Sequence, residues 1–460
     1  MVLCARLNRW FSPYREQAGC QAGRGCLEFI VTLRLLCDVA RRKKFKLFIT
    51  FVDFSQAYDR VPRDVMFRVL KRLGCGVTML SALVALYKIT HSVIGSAVIS
   101  AAVGVRQGSP TSCLLFIIFV NDLISLIRQN CDADGFLAWL HLLILMDDTV
   151  LLATKRENMI HKIKLLNQFC ASHGMKINES KTNFFVINGN TSDKEAMLVD
   201  DVSVSVCDHY TYLGSTFSAD GCTTTAIKLH AQNKMSHALK FVSFVNKNND
   251  VPFHVKSKVF QAAFMSTILY GCESWLNGDV KPINKMYMWC IKQMLGVRKT
   301  PCNDLCLMEL GYPPLRSLIL SKQRKFFSRM WRERKDMCDD PLSHTIKITL
   351  NYNTQTPRYI RDLINNNVHD VENAIENIKL KIIASESNRV KLYNTINPDL
   401  SVHQIYMSKI KVNERERISW TRFRVSAHSL AIEEGRWNRR GRGRLPPSRR
   451  AIVFLWTDTK

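Results

Sequence analysis

Two neighbouring carboxylates, Asp147 and Asp148, sit inside the otherwise apolar run LHLLILMDDTVLLA (140–153). Taking an ionised carboxylate out of water is costly unless something offsets the lost hydration, and two adjacent ones repel each other. Positive charge is therefore expected close by. A third aspartate, Asp53, lies near the end of another apolar run, LFITFVDF (47–54). Brought together from neighbouring strands, the three would make an oxygen-ligand site suited to Mg²⁺. Two such ions, with Mn²⁺ as a substitute, can activate an attacking hydroxyl and stabilise a leaving pyrophosphate. Consecutive strand side chains point to opposite faces, so Asp147 and Asp148 can approach one site only at a turn. Taken alone, the dipeptide reads more readily as a solvent-facing turn.

The elements that must position these residues follow from periodicity. Leu47 to Phe54 reads as a buried strand. Pro62 stands where a helix can begin, and Val65, Met66, Val69, Leu70 and Leu73 follow at helical spacing before Gly74 and Gly76 end it. After GVRQGSPTS, Cys113 to Ile127 reads as a buried helix. The opening run fits two short strands joined by a tight turn at Asp147 and Asp148. A helix is expected over 157–172 with Gly174 as its stop, then a strand over 183–187. From Thr223 the pattern turns helical and rich in lysine.

Composition narrows the partners. The chain has 460 residues, 47% hydrophobic and 23% charged, enough for two or three globular domains. Lys and Arg number 65 against 39 Asp and Glu, a formal charge of +26, which makes a polyanion the default partner, nucleic acid or an anionic membrane surface. The membrane reading is weak because apolar stretches are broken early, at Asn121 and Asp122 and at His141 and Asp147. The N-terminus lacks the apolar core of a secretory signal. Fifteen cysteines without framework spacing indicate a reducing, intracellular compartment, and Cys302 and Cys306 read as ordinary buried thiols. The stretch RWNRRGRGRLPPSRR (436–450) carries seven arginines and no acid, which suits phosphate contact through Arg436, Arg439, Arg440, Arg442 and Arg444.

Five segments in order, FVDFSQAYDRVPRDVM (51–66), GVRQGSPTSCLLFIIFVNDL (104–123), LMDDTVLLA (145–153), HGMKINESKTNFFVING (173–189) and YTYLGSTFS (210–218), together resemble the ordered motifs of reverse transcriptases of the non-LTR, LINE-type retrotransposon branch. Their order and spacing make the resemblance specific. It implies an α+β right-hand polymerase: partial fingers over 1–46, an antiparallel-sheet palm over 47–218, a helical thumb and following region over 219–340, and a basic C-terminal region over 341–460. The implied reaction is addition of dNTPs to a DNA primer 3′-hydroxyl on an RNA template with two Mg²⁺ ions, in the nucleus, with assembly in the cytoplasm.

The resemblance also assigns residues. Asp53, Asp147 and Asp148 match the metal-binding aspartates, with the Phe54 carbonyl as a further ligand. Tyr58 matches the bulky residue beneath the incoming sugar, where an aromatic ring excludes a 2′-hydroxyl; a core tyrosine is the alternative. Gln107 and Gly108 match the loop contacting nucleotide and template, and glycine there permits close backbone approach. Arg106 is a candidate for template or phosphate, or equally a surface ion pair. Lys181 resembles the lysine that can protonate the leaving pyrophosphate, or is an exposed turn lysine. Tyr212, Leu213 and Gly214 resemble the hairpin that grips the primer end.

Leu145 and Met146 depart from the Tyr and Ala common in the branch. REQAGCQAGRGCLEFI (15–30) already resembles a late fingers motif, so most of the fingers is expected to be missing. No Cys/His knuckle follows the arginines and no endonuclease motif is visible. A truncated element copy is the expectation, and a catalytically inactive nucleic-acid-binding remnant is the alternative function.

Overall fold

The structure, a computed structural model, describes residues 2–427 apart from 89, 107, 338, 366–368 and 408–411. It divides into two compact units. The first comprises Met1–Asn233, Leu269–Pro282 and Ile319–Val368; the second comprises Lys234–Ile268, Ile283–Leu318 and His369–Lys460.

The first unit is built on a mixed, mostly antiparallel sheet. In chain order the strands are β1 Leu47–Val52, β2 Thr90–Ile94, β3 Ala97–Ala101, β4 Leu142–Leu145, β5 Asp148–Ala153, β6 Asn183–Ile187, β7 Met197–Val199, β8 Val202–Val206, β9 His209–Tyr212 and β10 Ser215–Ser218. Six form the main sheet in the order β4-β5-β1-β6-β8-β7, and β2–β3 and β9–β10 are separate hairpins. All neighbours in the main sheet are antiparallel except β6 and β8. This is the expected α+β class.

Strand β1 has every residue buried, which explains why LFITFV reads as a continuous apolar run rather than an alternating one. Alternation still sorts its side chains. Phe48 and Val52 join a core with Leu115, Phe116 and Phe119 of the helix Ser112–Asn130 and Ile163 and Leu166 of the helix Arg156–His173. Leu47, Ile49 and Phe51 join the opposite core with Phe29, Leu33 and Leu36 of the helix Cys26–Lys43 and with Tyr212 and Phe217. Burying a side chain such as Phe51 is worth about 1.5–3 kcal/mol, so the register of the central strand is strongly fixed.

The helix Ser112–Asn130 is long and apolar enough to cross a membrane, yet it serves as core: Leu115 through Val120 are buried, and Asn121 accepts a hydrogen bond from the Tyr14 N–H at 3.0 Å. The expected helix ending near Gly74 is Arg63–Arg72, and the one stopped by Gly174 is Arg156–His173. The β2–β3 hairpin and the helices Val2–Trp10 and Val77–Tyr87 were not anticipated from periodicity.

The second unit is helical. Phe253–Val259 runs into a π-helical stretch, Phe260–Met265, which stacks Phe260 on Tyr312 with centroids 5.6 Å apart. Its interior holds a buried polar cluster. Glu309, fully buried, accepts hydrogen bonds from Tyr393 Oη at 2.9 Å, Tyr406 Oη at 2.8 Å and Arg424 Nε at 2.7 Å. Cys306 is buried as expected, but Cys302 is exposed, because it stands just before the helix Asn303–Leu310 rather than within it.

Candidate active site

The turn between β4 and β5 is one residue earlier than expected. Leu145 pairs with Asp148, so Met146 and Asp147 form the two-residue turn and Asp148 already belongs to β5. Met146 takes a positive φ of 61°, the left-handed backbone that a two-residue hairpin turn demands. Strand β1 pairs Val52 with Thr149, and continuing that register by one residue sets Asp53 across from Asp148. Asp53 and Asp148 share the parity of Phe51 and Val150 and face the core containing Tyr212. Asp147, in the turn, is free of that parity. Its charge is felt by Tyr58, whereas the charges of Asp53 and Asp148 are felt by Tyr210.

Partial desolvation, followed by the charges of Asp147 and Asp53, pushes Asp148 up to about 6. Desolvation and the charge of Asp53 likewise raise Asp147, against the lowering effect of backbone N–H groups. The desolvation is incomplete at Asp148, which remains exposed, so like-charge repulsion is the part of the shift that a bound cation would relieve. Asp53 is held on its other side. Its N–H donates to Thr182 Oγ1 at 3.2 Å, its carboxylate accepts from Asn178 Nδ2 at 2.9 Å, and Lys181 Nζ stands 4.0 Å away. Among the described residues no three His, Cys, Asp or Glu side chains close into a ready metal cluster. The donor set nevertheless suits a hard divalent cation: three carboxylates, no Arg or Lys salt bridge to Asp147 or Asp148 among the described residues, and mutual repulsion.

Phe54 forms an isolated bridge with Ile177, made by Asn178 N–H to the Asp53 carbonyl at 2.8 Å and Ser55 N–H to the Lys176 carbonyl at 2.8 Å. Peptide groups alternate along a strand, so the Phe54 carbonyl points to the other side, toward β5.

Tyr58 lies in the short helix Ala57–Arg60, half-buried, its ring stacked on Phe116 with centroids 4.4 Å apart. Its carbonyl accepts from Val105 N–H at 3.0 Å, which ties the 104–108 loop to the site. Gly104 is required there: it has a φ of 82°, and a Cβ would stand 2.9 Å from the Asp59 carbonyl oxygen. Gly108 has open space where a Cβ would be, and Gln107 lies outside the described residues. Arg106 donates to the Leu86 carbonyl at 2.6 Å with its guanidinium 5.6 Å from the Tyr87 ring. It thus anchors its own loop as well as carrying charge.

The hairpin β9–β10 turns at Leu213 and Gly214, φ 47° and 77°, the pair of positive values of a type I′ turn. Tyr212 is buried under this turn, and its hydroxyl has no hydrogen-bond partner among the described residues. The turn's backbone, not the Tyr212 ring, is what the hairpin presents. The arginines at 436, 439, 440, 442 and 444 lie outside the described residues.

Several residues of the site escaped sequence reading. Asn178 and Thr182 hold Asp53, and both lie in the segment HGMKINESKTNFFVING without any signal of that role. Tyr210 stacks on Phe51 at 4.1 Å and 9°. Arg63, buried, donates to the carbonyls of Gly104, Tyr87 and Ala101 at 2.9, 2.7 and 2.8 Å, and so fixes the loop that carries Arg106. The sequence carries no signal of that role, since a basic residue at the start of an amphipathic helix suits any solvated surface.

Residues 4–217 match the sequence family described as reverse transcriptase (RNA-dependent DNA polymerase). Among solved structures the chain is similar to telomerase from Candida albicans in complex with a TWJ fragment of telomeric RNA, at 14% identity and a TM-score of 0.37, over 87% of this chain and 55% of that one. It is also similar to apo telomerase from Candida tropicalis, at 14% identity and a TM-score of 0.36, over 92% and 59%. The chain spans about half the length of the telomerase chains it matches. The aspartates, Tyr58 and the loops around them all fall within the matched stretch.

Proposed function

We propose that the chain is an RNA-directed DNA polymerase of the non-LTR retrotransposon type, extending a DNA primer 3′-hydroxyl with dNTPs on an RNA template. The observation that carries this reading is the placement of Asp53 across from Asp148 with Asp147 in the adjoining turn, where desolvation first and then neighbouring carboxylate charge raise both Asp147 and Asp148. Asp53, Asp147 and Asp148, with the Phe54 carbonyl, would hold two Mg²⁺ ions, or Mn²⁺ in their place. Such ions supply activation of the hydroxyl and charge neutralisation on the departing pyrophosphate.

The chain's own residues do the rest. Asn178 and Thr182 hold Asp53 at the end of β1. Lys181, exposed and near Asp53, is positioned to give a proton to the leaving group. Tyr58, braced by Phe116, limits the space beneath the sugar. Gln107 and Gly108 contact the nucleotide and template, and Arg106 steers phosphate. The backbone at Tyr212, Leu213 and Gly214 supports the primer end. In this reading 1–46 is partial fingers, 47–218 palm, 219–340 thumb with the following region, and 341–460 a basic region whose arginines bind nucleic acid in the nucleus.

Primer extension on an RNA template tests the proposal. The wild type extends with dNTPs and Mg²⁺, and Asp147→Asn does not. A wild type that binds Mg²⁺ without extending any primer would favour the inactive remnant, for which the engagement of the Asp53 carboxylate by Asn178 is the supporting observation.

A further inference from the structure

The hairpin β9–β10 is a sheet of its own, so no ladder to the main sheet fixes where its turn stands. Its two strands are set differently. β9 leaves His209 and Thr211 exposed, whereas every residue of β10 is buried. The inner strand is met by Arg34 of the helix Cys26–Lys43. Its Nη2 donates to the Thr216 carbonyl at 2.6 Å, and its guanidinium lies 4.1 Å from the centre of the Phe217 ring. Thr216 stands two residues beyond Gly214. At the turn itself, a Cβ on Gly214 would stand 3.0 Å from Tyr270 Cε1, so that ring backs the turn from another side.

Arg34 is fully buried, and its Nε and Nη1 have no hydrogen-bond partner among the described residues. Asp220, just past β10, is taken up by Ser218 Oγ, the Cys222 N–H and Thr225 Oγ1. For packing alone a methionine would serve as well, because a buried cation short of partners can often be replaced by an apolar side chain without loss of stability. What methionine lacks is a donor for the Thr216 carbonyl and a charge for the Phe217 face. We infer that Arg34 is a positioning residue, which clamps β10 against its helix and so sets the place of the Leu213–Gly214 turn at the primer end. Its contacts go to the hairpin and not to the aspartates or Tyr58, so loosening it should leave nucleotide binding alone.

The clamp stands on geometry, while its effect on primer rests on the polymerase reading. The experiment scores them separately. The full chain is compared with Arg34→Met and with Arg34→Lys, which keeps both a donor and a cation. Backbone hydrogen exchange over 209–218, thermal melting and extension of a recessed DNA primer on an RNA template are measured for each. Arg34→Met should melt at or above the wild type. Its exchange over 209–218 and its KM for primer should both rise about tenfold, the effect of losing one charge-assisted hydrogen bond, with KM for dNTP unchanged. Arg34→Lys should restore both. Unchanged exchange, or exchange that Arg34→Lys does not restore, overturns the clamp. Faster exchange with an unchanged primer KM overturns the link to primer. An Arg34→Met chain that melts well below the wild type, or whose two KM values rise together, makes Arg34 a part of the core and overturns the assignment. A wild type that extends no primer, with exchange quickened by Arg34→Met and restored by Arg34→Lys, supports the clamp while overturning the polymerase reading.

Discussion

The second unit buries an acid, Glu309, and the first gathers three, and they are treated in opposite ways. In the second, Glu309 is fully buried and met by Arg424 and two tyrosine hydroxyls, so its charge is compensated and its lone pairs are used. In the first, partial desolvation raises Asp147 and Asp148, and the charge of Asp53 raises both further, with that of Asp147 adding at Asp148. A buried ion pair that is fully hydrogen-bonded ties elements together, and breaking it leaves an uncompensated charge. A group of carboxylates short of counter-charge costs stability, and a fold keeps such a group where something external completes it. The difference separates an acid that holds the fold from acids that act.

The largest expected effect comes from breaking the Glu309 cluster. Glu309→Ala strands the buried Arg424 and two hydroxyls and should cost about 3–5 kcal/mol, read as a lower midpoint in urea unfolding. An effect no larger than that of a surface substitution would mean the cluster is not structural.

Tyr58→Val should come next. Removing the ring braced by Phe116 should cost discrimination against ribonucleotides by about 2 kcal/mol, roughly thirtyfold, in single-nucleotide incorporation. An unchanged ratio in an active protein returns Tyr58 to a core role.

Asp148→Asn sharpens the contrast through pH. A carboxylate whose folded pKa is raised to about 6 favours the folded state only while protonated. That contribution is complete below about 4 and is lost as pH rises through about 6. Asp148→Asn should therefore match the wild type at low pH and exceed it at pH 7 by roughly 0.5–1 kcal/mol, a figure discounted because the group remains exposed. A variant less stable than wild type at pH 7 would contradict the repulsion argument.

The smallest effect concerns the arginines. Deleting residues 436–460 should lower the salt dependence of nucleic-acid binding by roughly 0.7–0.9 in log–log slope for each phosphate that is no longer neutralised. An unchanged slope would make the segment a bare linker.

Much of the first unit was legible in the sequence because it rests on local pattern. The uniform burial of LFITFV, the helix stop at Gly174 and the apolar run after GVRQGSPTS each follow from one segment read by itself. The three aspartates stood out only through the order of the five segments, since the Asp147–Asp148 pair alone reads more readily as a solvent-facing turn. The turn was displaced by one residue because Met146, not a glycine or asparagine, adopts the left-handed backbone there. Arg63, Asn178 and Tyr210 were not legible, since their partners are distant in sequence and their residue types suit any surface. The β2–β3 hairpin was missed because its residues, Thr90 to Ala101, alternate only weakly. The Glu309 cluster was invisible for the same reason as Arg63: its partners lie 84 to 115 residues away.

If Asp53, Asp147 and Asp148 are short of positive charge that a divalent cation supplies, the cation must stabilise the folded chain. Melting the full chain with and without Mg²⁺ or Mn²⁺ tests this without requiring catalysis. At about ten times the dissociation constant, linkage gives ~1.4 kcal/mol, which corresponds to a rise of roughly 2–3 °C for a unit of this size. Asp147→Asn should melt at or above the metal-free wild type and show no rise. A wild type whose melting ignores both cations, or an Asp147→Asn variant that responds as the wild type does, would contradict the assignment of the three aspartates.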